Sequence, residues 1–394
     1  MNERVLWETQ TRLWRDPAEA VSLQRMAASI DRTSFASKSA GDFWGLLESL
    51  RITLLVGREY EHFVLALAVR RGRPFPSFMP LPHPAGIVVD RPRGEVFIAS
   101  TRNPNQIFSF RPLAGMLHRG DRPRWKTDQQ PLLPVATRVL PGSLYIHDLA
   151  MIQGRLHASA AGHNAIVRID SRGYQHVWWP PGIERRHVPD FGCNHIQLNS
   201  IAAGKTLEQS FFSASSESIG TRRPGQRNYP VDRRGVIFSG ATRLPVVRGL
   251  TRPHSARLWH GRLWVNNSGY GQFGVVENGV FVPVAQLPGW TRGLAFRRGY
   301  AFVGVSRVLP RFSAYAPGLN VARSVCGVFV VELSSGNVIA SLVWPNGNQI
   351  FAIDWISAEQ ASGFPYSPMA RQGKSRIEQL FYAYELPDYR SDLL

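Results

Sequence analysis

The sequence predicts an all-β fold: a six-bladed β-propeller with four-stranded antiparallel blades, closed by N-terminal strands and preceded by a short helical segment. One spacing occurs three times. His147-Asp148-Leu149-Ala150 leads to Gly154-Arg155-Leu156, His254-Ser255-Ala256-Arg257 to Gly261-Arg262-Leu263, and Arg292-Gly293-Leu294-Ala295 to Gly299-Tyr300-Ala301. In each, six residues separate the leading polar residue from a turn glycine, and an apolar, β-prone run follows, which is the pattern of a hairpin. A second unit of strand, Gly-bearing turn, strand and proline follows these hairpins. It reads Ile166 to Ile169, Gly173 and His176 to Pro180, then Val275-Val276, Gly279 and Val282 to Pro288, then Val328 to Val331, Gly336 and Val338 to Pro345. Hairpin and second unit together make four antiparallel strands. Candidate first strands begin near Ala85, His147, Leu198, His254, Arg292 and Ile350, roughly 40 to 60 residues apart, a period that suits large propeller blades. A pair of β-sandwiches has a similar density of strands. The spacing shared by three units favours the propeller.

The elements divide into a helical N-terminal extension over residues 1–50 and a propeller domain over residues 51–394. Asp16 is placed to cap a helix that Pro17-Ala18-Glu19-Ala20 opens and that runs to about Ile30. A second short helix is expected at Asp42-Phe43-Trp44-Gly45-Leu46-Leu47. Ile52 to Val56 and Phe63 to Val69 read as strands around the polar turn Gly57 to His62. Gln379 to Tyr384 is the C-terminal run expected to pair with them, closing the ring so that no strand edge is left open.

Composition bounds the function. Hydrophobic residues make up 44% of the 394 residues, enough for a large core. The 35 glycines and 28 prolines are spread through the chain rather than gathered in linkers, as many short strands and turns require. The formal charge of +18 invites a nucleic-acid reading. Against it, the cations are nearly all Arg, with Lys only at Lys38, Lys126, Lys205 and Lys374, they are scattered, and no nucleic-acid motif accompanies them. Cys193 and Cys326 are too few for a disulfide framework and lack neighbours at metal-ligand spacing. No segment approaches the roughly 18 apolar residues of a membrane span, and Met1 to Trp7 lacks the apolar core of a signal peptide. The chain therefore reads as cytoplasmic, with no membrane partner.

In a four-stranded blade, the head of the first strand shares a face with the end of the second. The head positions supply His147 with Asp148, Asn199 with His195 just upstream, His254 and Arg292. The second-strand ends supply Arg102, Asn103, Asn105, Ser159, His163, Ser213 to Glu217, Asn266 to Ser268, and Ser306-Arg307. Such a convergence of polar groups at a channel mouth suits a small polar or anionic ligand. His147, His254 and Arg292 are the candidate catalytic groups, with histidine as acid or base and arginine as anion clamp. Arg102, Asn103, Asn105, Asp148, Asn199, Asn266 and Arg307 are the candidate ligand-binding residues. His147, His195 and His254 are also a candidate metal set, being imidazoles supplied by neighbouring blades. No G-x-S-x-G elbow, P-loop or dinucleotide fingerprint is present. Asn266-Asn267-Ser268-Gly269 reads equally well as a plain turn.

Several phrases carry a resemblance: Arg58-Glu59-Tyr60-Glu61-His62, Leu81-Pro82-His83-Pro84-Ala85-Gly86-Ile87, Thr101 to Gln106, His147 to Ala150, Leu198 to Ala202, Arg252 to Arg257, and Gly289 to Leu294. Together they resemble a bacterial family of conserved hypothetical proteins with a propeller-like domain of unknown function, over about residues 50–360. The resemblance implies a fold and supplies no activity. The functional expectation is a propeller that binds a small polar or anionic ligand at its channel mouth. The alternative is a non-catalytic platform for a protein partner.

Overall fold

The computed structural model describes residues 17–102, 105–116, 130–224, 226, 228–368 and 384–385. Six antiparallel sheets form six blades, each built on four meander strands; blade 5 gains a fifth strand, and blade 6 draws its first strand from the C-terminal side of the chain. Blade 1 comprises Pro84–Asp90, Glu95–Ser100, Asn105–Pro112 and Leu132–Leu140. Blade 2 comprises Ile146–Ile152, Arg155–Ala160, Ala165–Asp170 and Gly173–Trp178. Blade 3 comprises Leu198–Ala202, Phe211–Ala214, Gly235–Ser239 and Pro245–Leu250, and blade 4 Pro253–Trp259, Arg262–Asn267, Gln272–Glu277 and Val280–Gln286. Blade 5 comprises Trp290–Arg297, Tyr300–Ser306, Gly327–Glu332 and Val338–Val343. All six first strands expected from the sequence are present, and they pack against one another in a closed ring around the axis.

Blade 6 closes that ring, with one correction to the sequence reading. Its first strand, Ile353–Ser357, pairs with Ile52–Arg58, and Phe63–Arg70 and Arg73–Pro80 complete the sheet. The C-terminal partner of the N-terminal strands is thus Ile353–Ser357, in the register Leu55 to Asp354. In the run expected to take that role, residues 379–383 lie outside the described residues, and Tyr384 pairs with Met116 beside blade 1. The physical reason is burial. Ile353, Trp355 and Ile356 are apolar and buried, as a strand flanked by two neighbouring blades must be.

The core lies between the blades, and each of the six gaps has its own apolar cluster. Leu55, Val64, Ile87 and Phe110 fill the gap between blades 6 and 1, and Phe97, Leu149 and Leu156 the next. Trp178, Phe212 and Phe238 serve blades 2 and 3, Val247 and Val265 blades 3 and 4, Phe273 and Val303 blades 4 and 5, and Phe63 and Phe302 blades 5 and 6. Inner strands are therefore buried on both faces, as over Pro84–Asp90, while the outer strand Val280–Gln286 keeps exposed positions. First strands approach closely where residues are small. A Cβ at Gly86 would lie 2.7 Å from Asp148 Cα in the next blade.

The N-terminal segment holds the expected helices, Pro17–Ala28 and Phe43–Ser49. Asp16 lies outside the described residues. Asp42 caps the second helix by accepting from Gly45 N–H at 3.0 Å, and Phe43 and Leu47 bury against blades 5 and 6. Between the helices, Lys38–Ala40 adds a fifth strand to the outer edge of blade 5. No helix of the described residues is long and apolar enough to cross a membrane.

Candidate functional site at the axial mouth

The head of every first strand in blades 1 to 5 carries a β-bulge. The pairing register breaks between Pro84 and Ile87, Ile146 and Asp148, Leu198 and Ser200, His254 and Arg257, and Thr291 and Leu294. A bulge re-aims side chains and sharpens twist. The residues just before four of these strands are in the left-handed conformation without being glycine: His83 at φ 44°, Tyr145 at 51°, Gln197 at 48° and Arg252 at 51°. Such residues cost roughly 1 to 3 kcal/mol each and gather at functional sites. Tyr145, Gln197 and Arg252 line one axial cavity of about 300 Å³, with Trp290 and Gln349 at the corresponding positions of blades 5 and 6. Two residues further along the chain from these positions stand His147, Asn199, His254, Arg292 and Phe351. Of these, His147, Arg292 and Phe351 line the cavity.

His147, His254 and Arg292 converge as the shared spacing predicted. The two imidazole centroids are 6.2 Å apart, each edge-on to Phe351 at 5.4 Å. Arg292 Nη2 donates to His254 Nε2 at 3.2 Å, and its guanidinium lies over Phe351 at 4.1 Å. Because arginine only donates, His254 Nε2 is the acceptor, and its Nδ1–H is left to donate to Ser255 Oγ at 2.9 Å. His147 Nδ1 faces Asn199 Oδ1 at 3.2 Å. Burial first, then the charge of Arg292, pushes His147 down to about 3 and His254 well below its ordinary value. Both imidazoles are neutral at physiological pH.

The cavity is cationic. Among the described residues lining it, Arg102, Arg223, Arg252 and Arg292 face a single carboxylate, Glu59. Arg252 is 8% exposed, lies over the rings of Tyr315 at 4.4 Å and Trp290 at 5.4 Å, and makes no hydrogen bond or ion pair among the described residues. Burial lowers its pKa, and that of Arg292 to about 10. Glu59, buried in the turn after Ile52–Arg58, has its carboxyl pushed up by burial, against the pull of Arg292 and Arg102. Arg102 Nη2 is 3.9 Å from Glu59 Oε1, and its other arm donates to Tyr145 Oη. The Gln349 amide, oriented by its neighbours, donates to Glu59 Oε2 at 3.2 Å and accepts from Arg292.

Other sequence candidates serve the scaffold. Asp148 faces the opposite end of the channel, where Arg257 holds it through two hydrogen bonds of 2.7 and 3.0 Å and the amides of Leu149 and Ile201 complete its shell. Arg257 lines a second, more apolar cavity of about 440 Å³ there. Asn105 fastens blade 1 to blade 2 by bonding Gly142 O and Tyr145 N–H. Asn266 donates to Gly293 O, and Arg307 to Pro345 O, and neither lines the axial cavity. Asn199 stands behind His147, donating to Ser215 Oγ and Pro253 O. Asn103 lies outside the described residues. The second-strand serines stitch each blade to the next: Ser159 to Leu198 O, Ser213 to Pro253 O, Ser268 to Thr291 O and Ser306 to Ile350 O.

The three histidines weighed as metal ligands do not assemble. His195 Nε2 is engaged by Asp190 at 3.2 Å, and both nitrogens of His254 are taken. Among the described residues, no three His, Cys, Asp or Glu side chains gather closely enough to share an ion.

Residues 41–363 match a family described as Domain of unknown function (DUF4915). The chain belongs to that family. No curated protein matches it. Among solved structures, a chain of a nidogen/laminin complex is similar, with a TM-score of 0.51 and 8% identity over 78% of this chain and 99% of that one. A gluconolactonase from Xanthomonas campestris has a TM-score of 0.43 and 11% identity over 75% of this chain and 86% of its own. Regucalcin, a calcium-binding protein from Agrobacterium tumefaciens, has a TM-score of 0.40 and 11% identity over 66% and 73%. At these identities the first likeness shows the propeller fold alone, and the other two add nothing to it.

Proposed function

We propose that this family member binds a small organic anion in the axial cavity. The observation that carries this reading is Arg252, a buried guanidinium with two aromatic neighbours and no acidic partner among the described residues. Taking a cation out of water costs on the order of several kcal/mol, and a buried charge is ordinarily paired. An anion supplied from solution fills that requirement. Four arginines against one carboxylate reinforce it, because a low-dielectric cleft of one sign concentrates counter-ions. A volume of about 300 Å³ sits at the small end of ligand sites and suits a metabolite rather than a polymer. The neutral histidines act here as hydrogen-bonding groups of a binding site, and Glu59, with its raised pKa, is the group best placed to exchange a proton.

Titration calorimetry with inorganic phosphate, citrate and neutral glucose, on wild type and Arg252→Gln, tests this. Binding of at least one anion, no binding of glucose, and a loss of at least about tenfold in the variant are expected. Failure of every anion at millimolar concentration, or equal affinity in the variant, would overturn the reading.

A further inference from the structure

We propose that the ligand is a hydroxylated organic anion, its anionic group seated on Arg252 and one hydroxyl donated to His147 Nε2. This rests on the anion-binding reading above and names the chemical class. Asn199 orients the His147 imidazole. Its Nδ2 donates to the carbonyl of Pro253 at 2.9 Å, and a carbonyl only accepts, so the amide orientation is fixed. Oδ1 then faces His147 Nδ1 at 3.2 Å, which places the imidazole hydrogen on Nδ1. His147 Nε2 is left as a bare lone pair. It has no hydrogen-bond partner among the described residues, although His147 is only 5% exposed and lines the cavity. Nε2 opens on the cavity as a free acceptor, which a donor on the ligand can reach.

The surroundings decide which donor. An ammonium group would meet Arg102, Arg252 and Arg292 across one small cavity, and like charges disfavour it. A hydroxyl donates without charge. Glu59, in the turn of blade 6, and Gln197, just before blade 3, also line the cavity and offer it further partners. His147 belongs to blade 2 and Arg252 precedes blade 4, so one molecule touching both spans the mouth across blade 3. The aromatic rings of Trp290 and Phe351 cover its carbon skeleton. A hydroxy acid or a sugar phosphate has this chemistry, whereas an amino acid does not.

The test compares gluconate with hexanoate, and glucose 6-phosphate with hexyl phosphate, by titration calorimetry on wild type and His147→Phe, which keeps a ring and removes the lone pair. Wild type is expected to prefer the hydroxylated member of at least one pair by about tenfold. His147→Phe is expected to erase that preference while leaving hexanoate and hexyl phosphate within about twofold. The carboxylate and phosphate arms identify the anionic group. Equal binding within both pairs, or a preference that survives in His147→Phe, overturns the inference and leaves anion binding standing. Absence of binding by all four overturns the anion reading itself. Should the variant not fold, nitrogen-15 spectra of the wild-type imidazole replace it: Nε2 must shift on addition of the hydroxylated ligand and stay unmoved with its deoxygenated counterpart.

Discussion

Arg292 donates through Nη2 to His254 Nε2 at 3.2 Å, so a cation and an imidazole meet inside the axial ring with no carboxylate between them. The contact forces His254 to remain neutral and fixes its tautomer. In Arg292→Met, the His254 pKa should move up yet stay below its ordinary value, because burial is the larger cause and Arg292 the second. An NMR titration of the imidazole checks this, and an unmoved pKa contradicts it.

Stability should fall on mild acidification. His147 and His163 are held down to about 3, and His254 well below its ordinary value, each mainly by burial. The unfolded chain takes up protons on these histidines near pH 6.5 and the folded chain does not. Stability is therefore complete above that pH and is lost as the pH falls from 6.5 toward 3, by about 1.4 kcal/mol per pH unit for each such histidine. Denaturant melts between pH 7.5 and 4.5 should show this slope, and His163→Phe should reduce it. A flat profile contradicts the assignment.

Buried Asp148 pairs with the half-buried Arg257 at the far end of the channel, where Asp148 also accepts two backbone amides. Asp148→Ala removes the carboxylate partner and leaves the guanidinium its bonds to the Ile201 and Ala256 carbonyls, and is expected to cost about 1 to 3 kcal/mol in stability. Anion affinity at the axial mouth should change less than about twofold in the folded fraction. A tenfold loss of affinity would return Asp148 to the ligand site.

Gly86 lies where the first strands of blades 1 and 2 come closest, and a Cβ at this position would stand only 2.6 Å from Leu149 N. Backbone atoms cannot give way as a flexible side chain would. Gly86→Ala should lower stability by about 1 to 3 kcal/mol through overpacking, read as a drop in melting temperature. An unchanged melting temperature would show that the ring expands freely.

The ring of blades was legible because its cause is local. Hairpin spacing is written in the chain, and it led directly to His147, His254 and Arg292. It stopped short at Arg252, Tyr145 and Gln197, two positions before the strand heads, because their left-handed backbone has no glycine or asparagine to mark it. Glu59 was hidden by closure: blade 6 brings the turn after Ile52–Arg58 to the same mouth as loops more than 200 residues away, such as that of Arg292. Asn266 and Arg307 stand at second-strand ends as expected and Asn105 opens the third strand of blade 1, yet their side chains satisfy backbone carbonyls rather than the cavity. Strand position could be read from the sequence. Which polar groups the backbone itself would consume could not.

The central claim is that an anion completes Arg252. Crystals soaked in selenate, measured at the selenium edge, test it most directly. An anomalous peak within about 4 Å of the Arg252 guanidinium is the expected result. Selenate bound only to outer-surface arginines, with the axial cavity empty of it, would contradict the account.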